Sequence, residues 1–134
     1  MDRVALVGLL DSRGWLLLQE RDEHAPVDPD KWGLVGGGVE PGESPAAAAS
    51  RELAEETGIA GLDLVARGSH SLACAVHGHD LVDLFTARTA LSDADIDCRE
   101  GRQIVFVEPG SIADLDLTDA TRALYETVLS SHPG

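Results

Sequence analysis

Positive charge is scarce in this chain. Ten Lys and Arg stand against 24 Asp and Glu in 134 residues, a formal charge of -14 at pH 7, and Lys31 is the single lysine. Such a balance disfavours nonspecific association with nucleic acid or with an anionic membrane surface. A phosphate-bearing ligand would need cations as a bridge. Cysteine is sparse as well: Cys74 and Cys98 form no framework spacing, so both are expected to be free, buried thiols. Long hydrophobic runs are missing. The apolar part of "MDRVALVGLL" is about seven residues long and acid-flanked, too short for a signal sequence or a membrane span, and the expected compartment is cytoplasmic.

Apolar residues themselves are not lacking. At 43% hydrophobic the chain can close a core, and its length fits one domain, 1–134. There is no linker composition, internal repeat or low-complexity tract beyond the alanine run at 46–49. Residues 4–10 and 15–21 are β-compatible runs separated by Asp11-Ser-Arg-Gly14, which predicts a hairpin. Residues 22–31 read as a loop, 32–40 as a short extended segment broken by three glycines, 43–58 as a helix, and 62–76 and 81–89 as the strands of a second hairpin turning at 77–80. An acidic loop at 91–102 precedes the strand "QIVFVEP". Residues 117–131 close the chain as an amphipathic helix, with Thr118 or Asp119 as its cap and Leu124, Val128 and Leu129 facing inward. The order predicts a mixed α/β sandwich.

Chemistry concentrates on the first helix. Ser44-Pro45 is a good start and Gly58 a good stop. Between them Glu52, Glu55 and Glu56 share one arc, because residues three and four apart stack on one face. The opposite face, with Ala46, Ala47, Ser50, Leu53, Ala54 and Thr57, is expected to lie against a sheet. Ala48 and Ala49 fall above the carboxylates and are expected to leave room for something bulky. Like charges at this spacing cost about 0.2–0.5 kcal/mol per exposed pair. Taken alone, the cluster reads first as a solvated face balanced by Arg51 and only second as a site for a hard divalent cation such as Mg2+ or Mn2+.

The spacing outside the helix decides between these. Gly37-x5-Glu43-x7-Arg51-Glu52-Leu53-x-Glu55-Glu56-x-Gly58-Ile59 fills every fixed position of the Nudix box. A chance match in so short a chain is rarer than about one in a million. The sequence therefore resembles the Nudix hydrolases, and the MutT-like members among them, over nearly its whole length. The resemblance implies the family's α/β/α sandwich around a mixed β-sheet. It also implies metal-dependent cleavage of the diphosphate linkage of a nucleoside triphosphate or another nucleoside diphosphate derivative. Val35 stands near the place where the family often has Pro, a departure expected to alter the loop more than the chemistry.

Carried over residue by residue, the resemblance makes Glu52, Glu55, Glu56 and the carbonyl of Gly36 ligands of Mg2+ or Mn2+. Arg51 and Glu43 become orienting residues, and Glu52 or Glu100 the base that takes the proton from water. Arg21 is expected to contact phosphate or base, with a surface charge as the alternative, and Asp119 a purine edge, although a capping role explains Asp119 without any ligand. Trp32 is expected to pack in the core rather than stack on a base. Many relatives pair, so a homodimer is consistent with the resemblance; the ligand it implies is a small nucleotide, with no nucleic-acid or membrane partner. ADP-ribose or nucleotide-sugar hydrolysis is the enzymatic alternative, without the extra strands or signatures such relatives usually carry. A noncatalytic nucleotide sensor is the other, but sensors usually lose a box glutamate and all four are kept here. His70, His77 and His79 near Cys74 do not make a zinc site: alternate strand residues face opposite ways and no second Cys/His pair follows.

Overall fold

The computed structural model describes residues 2–26, 28–74 and 78–131. Strand β1 (Asp2–Leu10) turns into β2 (Leu16–Glu20) through the expected hairpin. The Asp11 carboxylate builds that turn by accepting the backbone N–H groups of Arg13 at 2.9 Å and Trp15 at 3.0 Å. Then follow β3 (Trp32–Gly33), β4 (Val35–Gly38), α1 (Pro45–Thr57), β5 (Val65–Cys74), β6 (Gly78–Arg88), β7 (Gln103–Val107), α2 (Pro109–Ile112) and α3 (Asp119–Leu129). The short α2 was not expected, and the acidic loop contains a single 3-10 turn, Asp93–Asp95.

The strands form one mixed sheet. β1 runs parallel to β6 from Asp2↔Asp80 to Leu10↔Arg88. Its other edge is shared: Val4 to Val7 pair with β4, while Leu10 pairs with Leu16 of β2. β2 in turn pairs with β7 on one edge and with β3 at Gln19↔Gly33 on the other. Thus β1 and β2 diverge beyond their turn, and the continuous segment 32–38 fills the wedge by pairing first with one and then with the other. This wedge carries the glycines of the box.

Both faces of the sheet are covered, which is why the central strands are apolar at nearly every position instead of alternating. Ala5, Val7, Leu9, Leu17 and Phe85 pack with Ala48, Ala49 and Leu53 of α1. Leu6, Leu16, Leu18 and Leu84 pack with Leu124 and Val128 of α3. This is the expected α/β/α sandwich. Thr118 caps α3 by accepting the Thr121 N–H, with Asp119 in the first turn; Leu124 and Val128 are buried as expected and Leu129 is half-buried. Trp32 packs against the α3-side core, and its backbone bonds Asp116 and Thr118, in keeping with a structural role.

Two expectations fail. Cys98 is exposed, not buried, because residues 97–102 run over the surface. The predicted buried face of α1 is displaced: Ala46, Ala47 and Ser50 are exposed, whereas Ala48, Ala49, Leu53, Glu56 and Thr57 are buried. The helix has turned its carboxylate arc partly inward, so Ala48 and Ala49 fill the core and leave no open space. His77 lies outside the described residues; among those described, no histidine-cysteine metal cluster occurs.

Close packing of α3 yields a stability test. A Cβ on Gly8 would lie 2.5 Å from both Cγ atoms of Val128, which is fully buried. Gly8→Ala is expected to cost about 1–3 kcal/mol through overpacking. Adding Val128→Ala should recover part of the loss in denaturant midpoint; no recovery would mean the strain lies elsewhere.

Candidate active site

Helix α1 is set by local chemistry at both ends. The Ser44 hydroxyl accepts the Ala47 N–H at 3.1 Å, Pro45 occupies the first turn, and Gly58 closes the helix at φ 78 with its N–H on the Ala54 carbonyl. These caps fix the rotation that carries Glu52 and Glu56 toward the wedge.

Glu56 is only 4% exposed. Its Oε2 accepts the Gly36 N–H at 2.9 Å, and it shares a hydrogen bond with Glu100. Burial, the Glu100 hydrogen bond and the neighbouring charges of Glu100 and Glu52 push its carboxyl up to about 9, against the relief from the Gly36 amide. Glu52 is also raised by burial, with Arg51 opposing. Gly37 makes this approach feasible: a Cβ there would lie 2.6 Å from Glu52 Oε1.

Arg51 ties the acidic groups together. Its guanidinium forks onto Glu43, Nε to Oε2 at 2.8 Å and Nη2 to Oε1 at 3.0 Å, and reaches Glu52 at 3.0 Å, Glu55 at 3.2 Å and the Gly38 carbonyl at 3.0 Å. The Arg51 hydrogen bonds and the Glu40 N–H bring the Glu43 carboxyl down to about 2. One cation therefore holds three box carboxylates and the glycine strand in register.

Glu100 arrives by a route the sequence did not expose. The backbone N–H groups of Asp97 and Arg99 bond the Thr57 and Glu56 carbonyls at the open end of α1, at 3.0 and 2.9 Å. The buried Gln19 donates its side-chain amide to the Glu100 carbonyl at 2.9 Å. Gly101, at φ 82, passes so near β2 that a Cβ would sit 2.6 Å from the Glu20 carbonyl. The loop is thus pinned to both α1 and β2, and Gln19 is a site residue that sequence reasoning missed; its only signal was a polar residue in an apolar strand.

A cavity of about 750 Å³ opens over this ensemble. Glu52, Glu56 and Glu100 line it with Gly36, Arg21 and Asp119, so six residues singled out in the sequence share one cleft. Arg51 and Glu43 stand behind it. Glu55 is exposed and turned to Arg51, outside the cavity wall.

The oxygen-only donors Glu52, Glu55, Glu56 and the Gly36 backbone suit a hard divalent cation by chemistry. Among the described residues no three carboxylate, imidazole or thiolate side chains already stand as a complete ion-binding group. The oxygens are instead engaged by Arg51 and the Gly36 amide. The fit lies in that crowding: a divalent cation would relieve the repulsion among carboxylates that, together with burial, raises the Glu56 carboxyl.

Fold and cleft together define an α/β sandwich whose acidic helix walls a ligand-sized cavity. The NUDIX domain model matches residues 1–127, and the chain belongs to that family. It is accordingly a hydrolase acting on phosphorus-containing anhydrides, of the kind that takes nucleoside diphosphate derivatives. It is 28% identical over 133 residues to the nucleoside triphosphatase NudI of Enterobacter sp. (strain 638), covering 92% of this chain and 94% of that one. Its fold is similar to that of a MutT protein from Methanosarcina mazei Go1, with a TM-score of 0.81 at 23% identity over 95% of this chain and 91% of the other. It is equally similar to the E. coli dihydroneopterin triphosphate pyrophosphohydrolase, with a TM-score of 0.81 at 21% identity over 96% of both chains.

Proposed function

We propose that this protein is a MutT-like pyrophosphohydrolase that splits a nucleoside triphosphate into the nucleoside monophosphate and pyrophosphate. The observation that carries the reading is the single cleft in which Glu52, Glu56 and Glu100 meet Arg21 and Asp119. The likeness to a nucleoside triphosphatase over nearly the whole chain supports triphosphates over other diphosphate derivatives.

Glu52, Glu55, Glu56 and the Gly36 carbonyl would hold Mg2+ or Mn2+. When bound, such ions neutralise phosphate oxygens and acidify water. The protein's own groups do the rest. Arg21 meets the phosphate chain, and Asp119 accepts hydrogen bonds from the base edge. Arg51 and Glu43 keep the acidic face in place. For the base we assign Glu100 over Glu52: the Glu52 carboxylate is held by Arg51, whereas Gln19 and the α1 terminus brace the backbone around Glu100, whose side chain lines the cleft. We place the protein in the cytoplasm, where a thiol as exposed as Cys98 stays reduced.

The deciding experiment is a panel of ribo- and deoxyribonucleoside triphosphates with Mg2+ or Mn2+, with ADP-ribose and a nucleotide sugar alongside, scored separately for pyrophosphate and monophosphate. Pyrophosphate release is expected from triphosphates; turnover confined to ADP-ribose or the nucleotide sugar would replace this reading. At saturating metal Glu100→Gln should lower kcat by about 100- to 10,000-fold with metal affinity unchanged. A larger kcat loss in Glu52→Gln under those conditions would move the base to Glu52.

A further inference from the structure

We infer that Arg102, outside the box and outside the cleft, is a positioning residue that sets how tightly the nucleotide is held. The inference rests on the reading of the cleft as the nucleotide site. Residues 21–31 leave β2 and return to β3, and Asp22, His24, Ala25, Pro26 and Asp28 of this loop form one wall of the cavity. The loop closes at its root, where the Arg21 N–H bonds the Lys31 carbonyl at 2.8 Å. Its far limb holds Asp28 and Asp30 at φ 49 and 66, a left-handed conformation that Asp tolerates better than most residues. Among the described residues only two long backbone bonds secure it from within, Asp30 N–H to the Asp22 carbonyl at 3.2 Å and Lys31 N–H to the Asp28 carbonyl at 3.4 Å.

Arg102 touches both limbs. Its Nη2 donates to Glu23 Oε2 at 2.7 Å on the outgoing limb and to Asp30 Oδ1 on the returning one. Its Nη1 donates to the Arg21 carbonyl at 3.2 Å, and its backbone N–H to the Glu20 carbonyl at 2.9 Å. Acceptors splayed in this way suit a planar fork of donors and would not be met by an ammonium.

Stability does not account for the arrangement. The Arg102, Glu23 and Asp30 side chains are 38%, 60% and 57% exposed, and pairs so open to water and salt add little to folding. Position does account for it. Arg102 follows Gly101 and Glu100, so one stretch of chain places Glu100 at the cleft and clamps the cleft's wall. Loss of the clamp should loosen the wall while leaving the pinned Glu100 in place.

The test compares Arg102→Ala, Arg102→Lys and the pair Glu23→Gln/Asp30→Asn with wild type. The substrate is whichever deoxynucleoside triphosphate the wild type turns over fastest with Mg2+. Arg102→Ala should raise KM about tenfold with kcat within about twofold, and the lysine variant should recover only part of the loss. Amide hydrogen exchange at Arg21, Ala25 and Asp30, each bonded within the loop, should speed up about tenfold in Arg102→Ala. Unchanged exchange at these amides overturns the proposal, and so does a fall in kcat at constant KM. A wild type that cleaves no triphosphate overturns the substrate reading instead, and the exchange measurement then decides the role of Arg102 alone.

Discussion

Glu56→Gln is expected to abolish useful turnover, by on the order of a thousandfold or about 4 kcal/mol of transition-state stabilisation, while making the metal-free protein more stable at neutral pH. The opposite signs follow from one fact. Glu56 is buried against Glu100 and Glu52, with its carboxyl pushed up to about 9 from an ordinary value of 4.5. Between those values the folded chain binds a proton that the unfolded chain has released, so stability is full below about pH 4.5 and falls as pH rises toward 9. By pH 7 the loss is roughly 3 kcal/mol. Glu43 has the reverse sign: its folded carboxyl lies at about 2, so its contribution is present above 4.5 and lost as pH falls toward 2. Melting of the metal-free protein should therefore peak near pH 5. Glutamine cannot ionise, so in Glu56→Gln the alkaline slope should flatten. Mg2+ or Mn2+ added to wild type at pH 7 should release protons, because the cation takes over the charge the proton now cancels. A wild-type melting curve that rises steadily from pH 5 to 8 without metal would contradict the assignment of Glu56 as the buried, protonated carboxyl.

This coupling of burial and function also explains what could be read from the sequence. The limits of α1 were legible because Ser44, Pro45 and Gly58 act within a few residues of themselves. Glu52, Glu55 and Glu56 were legible because their spacing is periodic on that helix. Its buried face was misjudged for a physical reason: apolarity assigns carboxylates to water, and here Glu56 goes inward while Ala46, Ala47 and Ser50 go out. Glu100 could be named by its resemblance, but what holds it could not. Its supports are Gln19, 81 residues away, and the carbonyls of Glu56 and Thr57, and contacts at such separation leave no periodic trace. The Arg102 clamp was hidden in the same way. The wedge between β1 and β2 left a trace only in three consecutive glycines.

Those glycines supply the sharpest separation between fold and catalysis. At Gly36 φ is 141, and an added Cβ would stand 2.1 Å from the Ala5 carbonyl and 2.8 Å from the Leu6 Cα, both backbone atoms of the central strand. Neither can move without opening the pairing of β1 with β4. Gly36→Ala is therefore expected to cost roughly 3 kcal/mol or more, visible as a large drop in denaturant midpoint. At the next residue the added Cβ meets a different kind of neighbour, the Glu52 carboxylate at 2.6–2.8 Å. That is the far end of a flexible side chain, and it can swing aside at little cost to the fold. What it loses is its place between Arg51 and the cleft, and a displacement of about 1 Å at such a group costs on the order of a hundredfold in rate. Gly37→Ala should thus melt close to wild type and yet lose at least about a hundredfold in kcat/KM. Adjacent methyl groups would then part stability from activity. Equal losses of stability in the two variants would mean that Glu52 is not free to yield at Gly37, and wild-type activity in Gly37→Ala would remove Glu52 from the reacting ensemble.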